Sequence, residues 1–166
     1  MNRKEPRTPE EIAGIYERQL PTVWRVCRTY MKNTADTEDA AADTFAALIR
    51  SSPDFENAEH EKAWLIRTAS NVCKNMLRRA SRKNESLDAL AEEGDRPEFA
   101  APDDDAVRLL RDAVDSLPER CRIVVYLYYY EGYATGEIAG ILKRPPSTVR
   151  NRLSEARKLL KERLED

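Results

Sequence analysis

The chain has 166 residues, with 28 Lys and Arg against 30 Asp and Glu, 41% hydrophobic and 35% charged residues, and five glycines. This is the composition of a soluble, helix-favouring chain of one domain or two small ones, and no run approaches the roughly 18–20 apolar residues of a membrane span. Cys27, Cys73, Cys121 and the single His60 are too few and too widely spaced for a zinc site or a nucleophile–base pair, and there is no Gly-rich phosphate loop, so metal, cofactor and hydrolytic chemistry are not expected.

Seven helical segments and no strand can be read, which predicts an all-α fold. Residues 9–32 form the first segment, with Pro21 as a candidate joint because proline suits a helix start better than an interior. The opening residues are basic but lack an apolar h-region, so a cytoplasmic location is expected, with no membrane insertion of the chain's own. Residues 36–51 form the second segment: Asp36 is its candidate cap, and Ala41, Phe45 and Leu48 are its buried stripe. Asp39, Asp43 and Arg50 line its polar side beside Ala40, Ala46 and Ala47, a small-residue face that suits a partner helix or, equally, solvent. Residues 59–80 form the third, with Leu65, Ala69, Val72, Met76 and Ala80 as the apolar stripe. Arg67, Asn71, Lys74 and Arg78 recur on the opposite side at i, i+4, i+7 and i+11, flanked by Ser70 and Asn75, and a basic and amide face of this kind suits nucleic acid. Trp64 stands just before it and reads as core packing rather than a stacking platform.

The segment 84–103 is acidic, contains Gly94, Pro97 and Pro102, and loses its apolar periodicity after Leu90, so it reads as a flexible linker. The expected organisation is a helical domain over 8–83, the linker over 84–103 and a second helical domain over 104–166. Charge alternates in blocks: net −6 over 34–59, +6 over 60–83, −8 over 84–106 and +6 over 143–163. Two separate basic patches point to two contacts with a polyanion.

The second domain opens with a helix at 104–116. Pro118 then suits the first turn of a helix that Gly132 ends. Thr135 is the candidate cap of a short helix to Leu142, and a tight break at Lys143–Pro146 leads into the last helix. Ile138, Ala139 and Leu142 form one apolar face and Val149 and Leu153 another, which is the helix-turn-helix arrangement. The last helix then exposes Ser147, Thr148, Arg150, Asn151, Arg152, Ser154, Arg157 and Lys158, with Arg and Asn able to pair with base edges and Ser, Thr and Lys with phosphates. Lys143 occupies the turn position that glycine usually takes.

Together DTEDAAADTFAALIR, AWLIRTASNVCKNMLRR and LPERCRIVVYLYYYEGYATGEIAGILKRPPSTVRNRLSEARKLL resemble the second and fourth conserved regions of extracytoplasmic-function sigma factors, the smallest class of the principal bacterial sigma family. The resemblance implies a specificity subunit of RNA polymerase that is not an enzyme on its own. It places Asp39, Asp43, Phe45 and Arg50 against the clamp helices of the polymerase's largest subunit. Arg67, Asn71, Lys74, Asn75 and Arg78 are placed at the minus-ten element, with a flipped base held near residues 55–64. The final helix is placed in the major groove of the minus-thirty-five element, the linker in the RNA exit path, and an anti-sigma factor as the inactivating partner. Three positions depart from the pattern: Ala42 where glutamine is frequent, Lys143 in place of glycine, and Glu155 where a basic residue is common, which avoids a phosphate or reads a cytosine amine. The competing reading is a free-standing helix-turn-helix regulator, which accounts for residues 133–163 and leaves the first domain without a role. An enzyme acting on nucleic acid would need clustered acids, a metal site or a nucleophile, none of which the pattern supplies.

Overall fold

The computed structural model describes residues 5–83 and 105–165. Every regular element among them is helical, apart from an isolated bridge residue at Pro53. The chain divides into two compact units, residues 1–94 and 95–166. The predicted linker over 84–103 lies outside the described residues.

Unit one is a three-helix assembly of α1 (Pro9–Tyr30), α2 (Thr34–Ser51) and α3 (Ala58–Arg82). Thr8 caps α1 by accepting from the Glu11 amide at 3.2 Å, Pro9 opens it, and Glu10 and Glu11 sit at the positive end of the helix dipole. Its buried residues Ile15, Gln19, Val23, Val26, Cys27 and Tyr30 recur at helical spacing. The joint expected at Pro21 is not there: α1 runs through it unbroken. Proline removes the amide that would bond the Glu17 carbonyl, and Glu17 lies on the exposed side, where water can take over.

The cap of α2 is Asn33, not Asp36. The Asn33 side-chain oxygen accepts from the Asp36 amide at 2.8 Å, so the helix begins at Thr34, two residues earlier than expected. Thr37 and Thr44 are buried, and each hydroxyl donates back to a carbonyl four residues earlier at 2.8 Å. Asn57 caps α3 through the His60 amide at 2.9 Å. Leu48, Leu65, Ile66, Ala69 and Cys73 complete the core.

Unit two contains α4 (Asp105–Asp115), α5 (Glu119–Val125) running into a π turn (Tyr126–Tyr130), α6 (Thr135–Leu142) and α7 (Pro146–Glu165). Cys121, Ile123, Val124, Val125 and Leu127 are all buried, and α5 packs on α7, which α4 and α6 also contact. The buried Arg122 guanidinium donates to the Leu117 carbonyl at 2.7 Å. Gly132, at φ 78°, turns the chain after the π segment. The cap predicted at Thr135 moves one residue back: Ala134 holds the position, and its amide donates to the Glu137 carboxylate at 2.9 Å. Ile138, Ala139, Leu142, Val149 and Leu153 are buried together, which seats α7 against α6. Lys143 makes the turn in left-handed geometry, at φ 53° and ψ 52°.

Candidate nucleic-acid interface

The buried side of α3 is Leu65, Ile66, Ala69, Ser70, Cys73 and Ala80, a stripe rotated slightly from the predicted one, with Val72 and Met76 half-buried at its margin. The opposite side carries Asn71, Asn75 and Arg78 exposed, with Arg67 and Lys74 half-buried beside them. These five therefore share a face. Ser70, expected to flank that face, is instead in the core, where the Tyr30 hydroxyl donates to its Oγ at 3.1 Å.

Trp64 is also corrected. It is half-buried on the basic side of α3, and its ring meets Phe55 edge-on at 5.8 Å. Phe55 in turn meets His60 at 5.5 Å and lies beneath the Arg7 guanidinium at 4.8 Å, while Arg7 donates to the Pro53 carbonyl. A cleft of about 330 Å³ opens beside this cluster, lined by Arg7, Glu10, Arg18, Asp54, Phe55 and Glu61 among others. Glu61 anchors the cluster from below: it is buried and accepts from Gln19 at 2.9 Å and Arg18 at 3.1 Å. The aromatic partners of Trp64 come from the loop before α3, so no helical periodicity could have found them.

On α2, Asp39, Asp43 and Arg50 are exposed on one side with Ala42, and Ala46 is half-buried beside them. Phe45, predicted to touch a partner, is 6% exposed and packs its ring 4.9 Å from Tyr16, so it belongs to the core. Ala40, assigned to the small-residue face, is also buried. Sequence reasoning missed Ile49, a 55% exposed aliphatic residue beside Arg50, whose exposure no alternation rule marks.

On α7, Ser147, Arg150, Asn151, Ser154, Arg157 and Lys158 are exposed opposite the buried Val149, Leu153 and Ala156, and Thr148 is half-buried. Arg152 is half-buried on the flank turned towards Glu155 and Cys121, off the exposed face. Glu155 is held by a partner on another helix. Its carboxylate accepts from Arg120 of α5 at 2.5 Å, a bond that lowers the Glu155 pKa and raises that of Arg120. Burial pushes the Cys121 thiol up to about 11, so it behaves as a small apolar filler. Arg157 Nε donates to the Tyr129 hydroxyl at 2.8 Å, which raises the guanidinium pKa further.

Each unit thus carries a basic helix face, on α3 in the first and on α7 in the second. The family model for Sigma-70 region 2 matches residues 15–83, and that for Sigma-70, region 4 matches residues 108–160. The chain belongs to the sigma-70 family. Its relatives place it in the extracytoplasmic-function group. It is 28% identical over 142 residues to the ECF RNA polymerase sigma-E factor of Haemophilus influenzae, covering 78% of this chain and 75% of that one. It is 32% identical over 149 residues to the ECF sigma factor SigE of Mycolicibacterium smegmatis, covering 86% of this chain and 57% of that longer one. Among solved structures, the sigma factor RpoE of Bartonella quintana, in complex with the anti-sigma factor NepR, shares the fold at a TM-score of 0.70 and 21% identity, covering 94% of this chain and 95% of that one. In this sigma factor, the region 2 match takes in α2 and the basic face of α3, and the region 4 match takes in α7 as far as residue 160. Among the described residues no helix is long and apolar enough to cross a membrane, and no group of His, Cys, Asp and Glu could hold a metal ion.

Proposed function

We propose that this sigma factor divides promoter recognition between its units: the α3 face with Arg67, Asn71, Lys74, Asn75 and Arg78 engages and opens the minus-ten element, and the exposed side of α7 reads the minus-thirty-five element. The carrying observation is that each unit exposes one basic and amide helix face directly opposite its own core. Such a face can bind polyanion without disturbing packing. The Phe55–His60–Trp64 cluster lies at the head of the α3 face, where an unstacked base would find aromatic surface. The Asp39, Asp43, Ile49 and Arg50 side of α2 is the docking surface for the polymerase's largest subunit. An exposed aliphatic residue among charges suits a partner better than water. A protein of this kind works beside its polymerase in the cytoplasm and carries no catalytic step of its own. An anti-sigma partner is proposed by analogy with the Bartonella quintana protein, which was solved bound to one.

Transcription with core polymerase on matched templates and on templates premelted at the minus-ten bases tests the division of labour. Arg150→Ala should cost roughly 1–3 kcal/mol and relax sequence preference at one minus-thirty-five position. Asn71→Ala should slow initiation on the duplex and regain part of its activity on the premelted template. Equal activity of Asn71→Ala and wild type on the duplex template removes Asn71 from strand opening. Tight sequence-specific binding by the isolated chain at physiological salt would favour a free-standing regulator instead.

A further inference from the structure

The sequence YLYYYEG carries α5 into its π turn, which leaves Tyr129 57% exposed and Tyr130 equally open. π turns cost backbone geometry and recur at functional sites. Tyr129 reaches across to the recognition helix. Arg157 Nε donates to its hydroxyl at 2.8 Å, and the guanidinium carbon lies 5.7 Å from the Tyr128 ring centroid and 5.8 Å from that of Tyr129. The two rings meet edge-on at 4.9 Å. Tyr129 and Tyr130 are exposed and Tyr128 is only half-buried, so burial does not explain this arrangement.

Arg157 stands two turns after Arg150 on the same flank of α7, at the rim of the exposed face. A guanidinium has five N–H donors in one plane, and the bond to Tyr129 uses one of them. The Tyr129 hydroxyl, having accepted that bond, still has its own proton to donate. Flanking rings fix the guanidinium plane, so less side-chain freedom is lost when a ligand is bound. One charged and one neutral donor, side by side at the rim of a helix, match the two free oxygens of a backbone phosphate.

The geometry points to a composite phosphate clasp, Tyr129 with Arg157, that grips the promoter backbone beside α7 and sets how the helix seats in the groove. The clasp rests on the reading of α7 as the DNA-recognition helix. It adds to that helix a contact from the π turn, outside the helix-turn-helix itself.

The test uses the full chain with core polymerase and measures promoter affinity against salt for Tyr129→Phe, Arg157→Ala, the double variant and Arg150→Ala. Tyr129→Phe should lower affinity roughly three- to tenfold, the size of one hydrogen bond, with an unchanged salt slope and melting temperature. Arg157→Ala should lower affinity and reduce the slope of log K against log salt by about one. The double variant should bind little worse than Arg157→Ala, because both donors serve one phosphate. Wild-type affinity for Tyr129→Phe, or fully additive losses in the double variant, overturns the clasp. So does a Tyr129→Phe defect in core-polymerase binding alone, which would assign the tyrosine to a protein contact. If Arg150→Ala relaxes sequence preference while Tyr129→Phe is silent, only the clasp fails. If Arg150→Ala also leaves preference unchanged, the reading of α7 fails with it.

Discussion

The two units orient their basic helices by opposite means. Unit one fastens α3 from beneath: buried Glu61 takes bonds from Gln19 and Arg18 of α1, and Tyr30 bonds Ser70 inside the core. Unit two fastens α7 partly from the rim, through Arg120–Glu155 on one flank and Tyr129–Arg157 on the other, both exposed. A buried polar tie couples orientation to folding, because breaking it strands a desolvated group. An exposed tie contributes little to stability and weakens with salt, so it can adjust the helix without unfolding the unit. The α3 face should therefore be rigid by construction, and the α7 face adjustable.

The largest expected effects ignore this difference and set its scale. Leu65 in unit one and Leu153 in unit two are both essentially inaccessible to solvent. Truncating either to Ala removes buried methyl groups and leaves a cavity, at a cost of about 2–5 kcal/mol. Each unit has a thin core, so a loss of that size approaches its whole stability. Urea denaturation of the two variants checks this. A cost below about 1 kcal/mol at either site would mean that the core there is not packed as described.

The carboxylates then separate the two designs. Glu61→Ala leaves the buried Gln19 amide without its acceptor and should cost about 1–3 kcal/mol. Glu155→Ala breaks an exposed pair, so the fold should barely respond while promoter affinity changes through the seating of α7. The pH response follows the same sign. The Arg120 bond holds the Glu155 carboxyl below its ordinary value, so its small stabilisation is present above the carboxylate range and fades as pH falls through the folded pKa. Thermal melts from neutral to acid pH should show this fading in the wild type and not in Glu155→Ala. A Glu155→Ala melting temperature as depressed as that of Glu61→Ala would abolish the distinction between buried and rim fastening.

What the sequence disclosed follows the range of the interaction concerned. Periodicity marked the α7 face, the buried Val149 and Leu153, and the amide and basic line on α3, because each is set by spacing within one helix. The cap of α2 was misplaced because Asn33 and Asp36 are both good caps three residues apart, and only the backbone at Asn33 settles which one acts. Phe45 has the spacing of the core, and its burial against Tyr16 is what that stripe implied before a contact role was assigned to it. The contacts of Glu155 and Trp64 were out of reach of the sequence for a different reason. Their partners Arg120 and Phe55 lie on other elements, and in the case of Arg120 the separation is 35 residues. The π turn has no compositional signature at all, so the meeting of Tyr129 with Arg157 could only be seen in three dimensions.

The one gain in stability is expected at the turn that aims α7, where a non-glycine residue holds a left-handed position. Lys143 sits at φ 53°, a conformation that crowds the Cβ of any non-glycine residue and costs roughly 1–2 kcal/mol. Its amide and that of Arg144 both donate to the Ala139 carbonyl, the latter at 3.0 Å, so the turn is held closed despite the strain. Glycine would relieve the strain but loses more freedom on folding, which returns roughly 0.5–1 kcal/mol. Lys143→Gly should therefore stabilise unit two by about 0.5–1 kcal/mol, a rise of roughly 2–8 °C in melting temperature for a unit of this size. Lys143→Ala is the control, since it removes the charge and keeps the Cβ. It should give no gain, because the strain is unchanged. If Ala stabilises as much as Gly, the cost at this position is charge repulsion within the basic block over 143–163 and not backbone strain. If Gly stabilises and Ala does not, the strain is real, and the turn before α7 can then be relaxed to ask whether promoter affinity depends on the stiffness with which that helix is aimed.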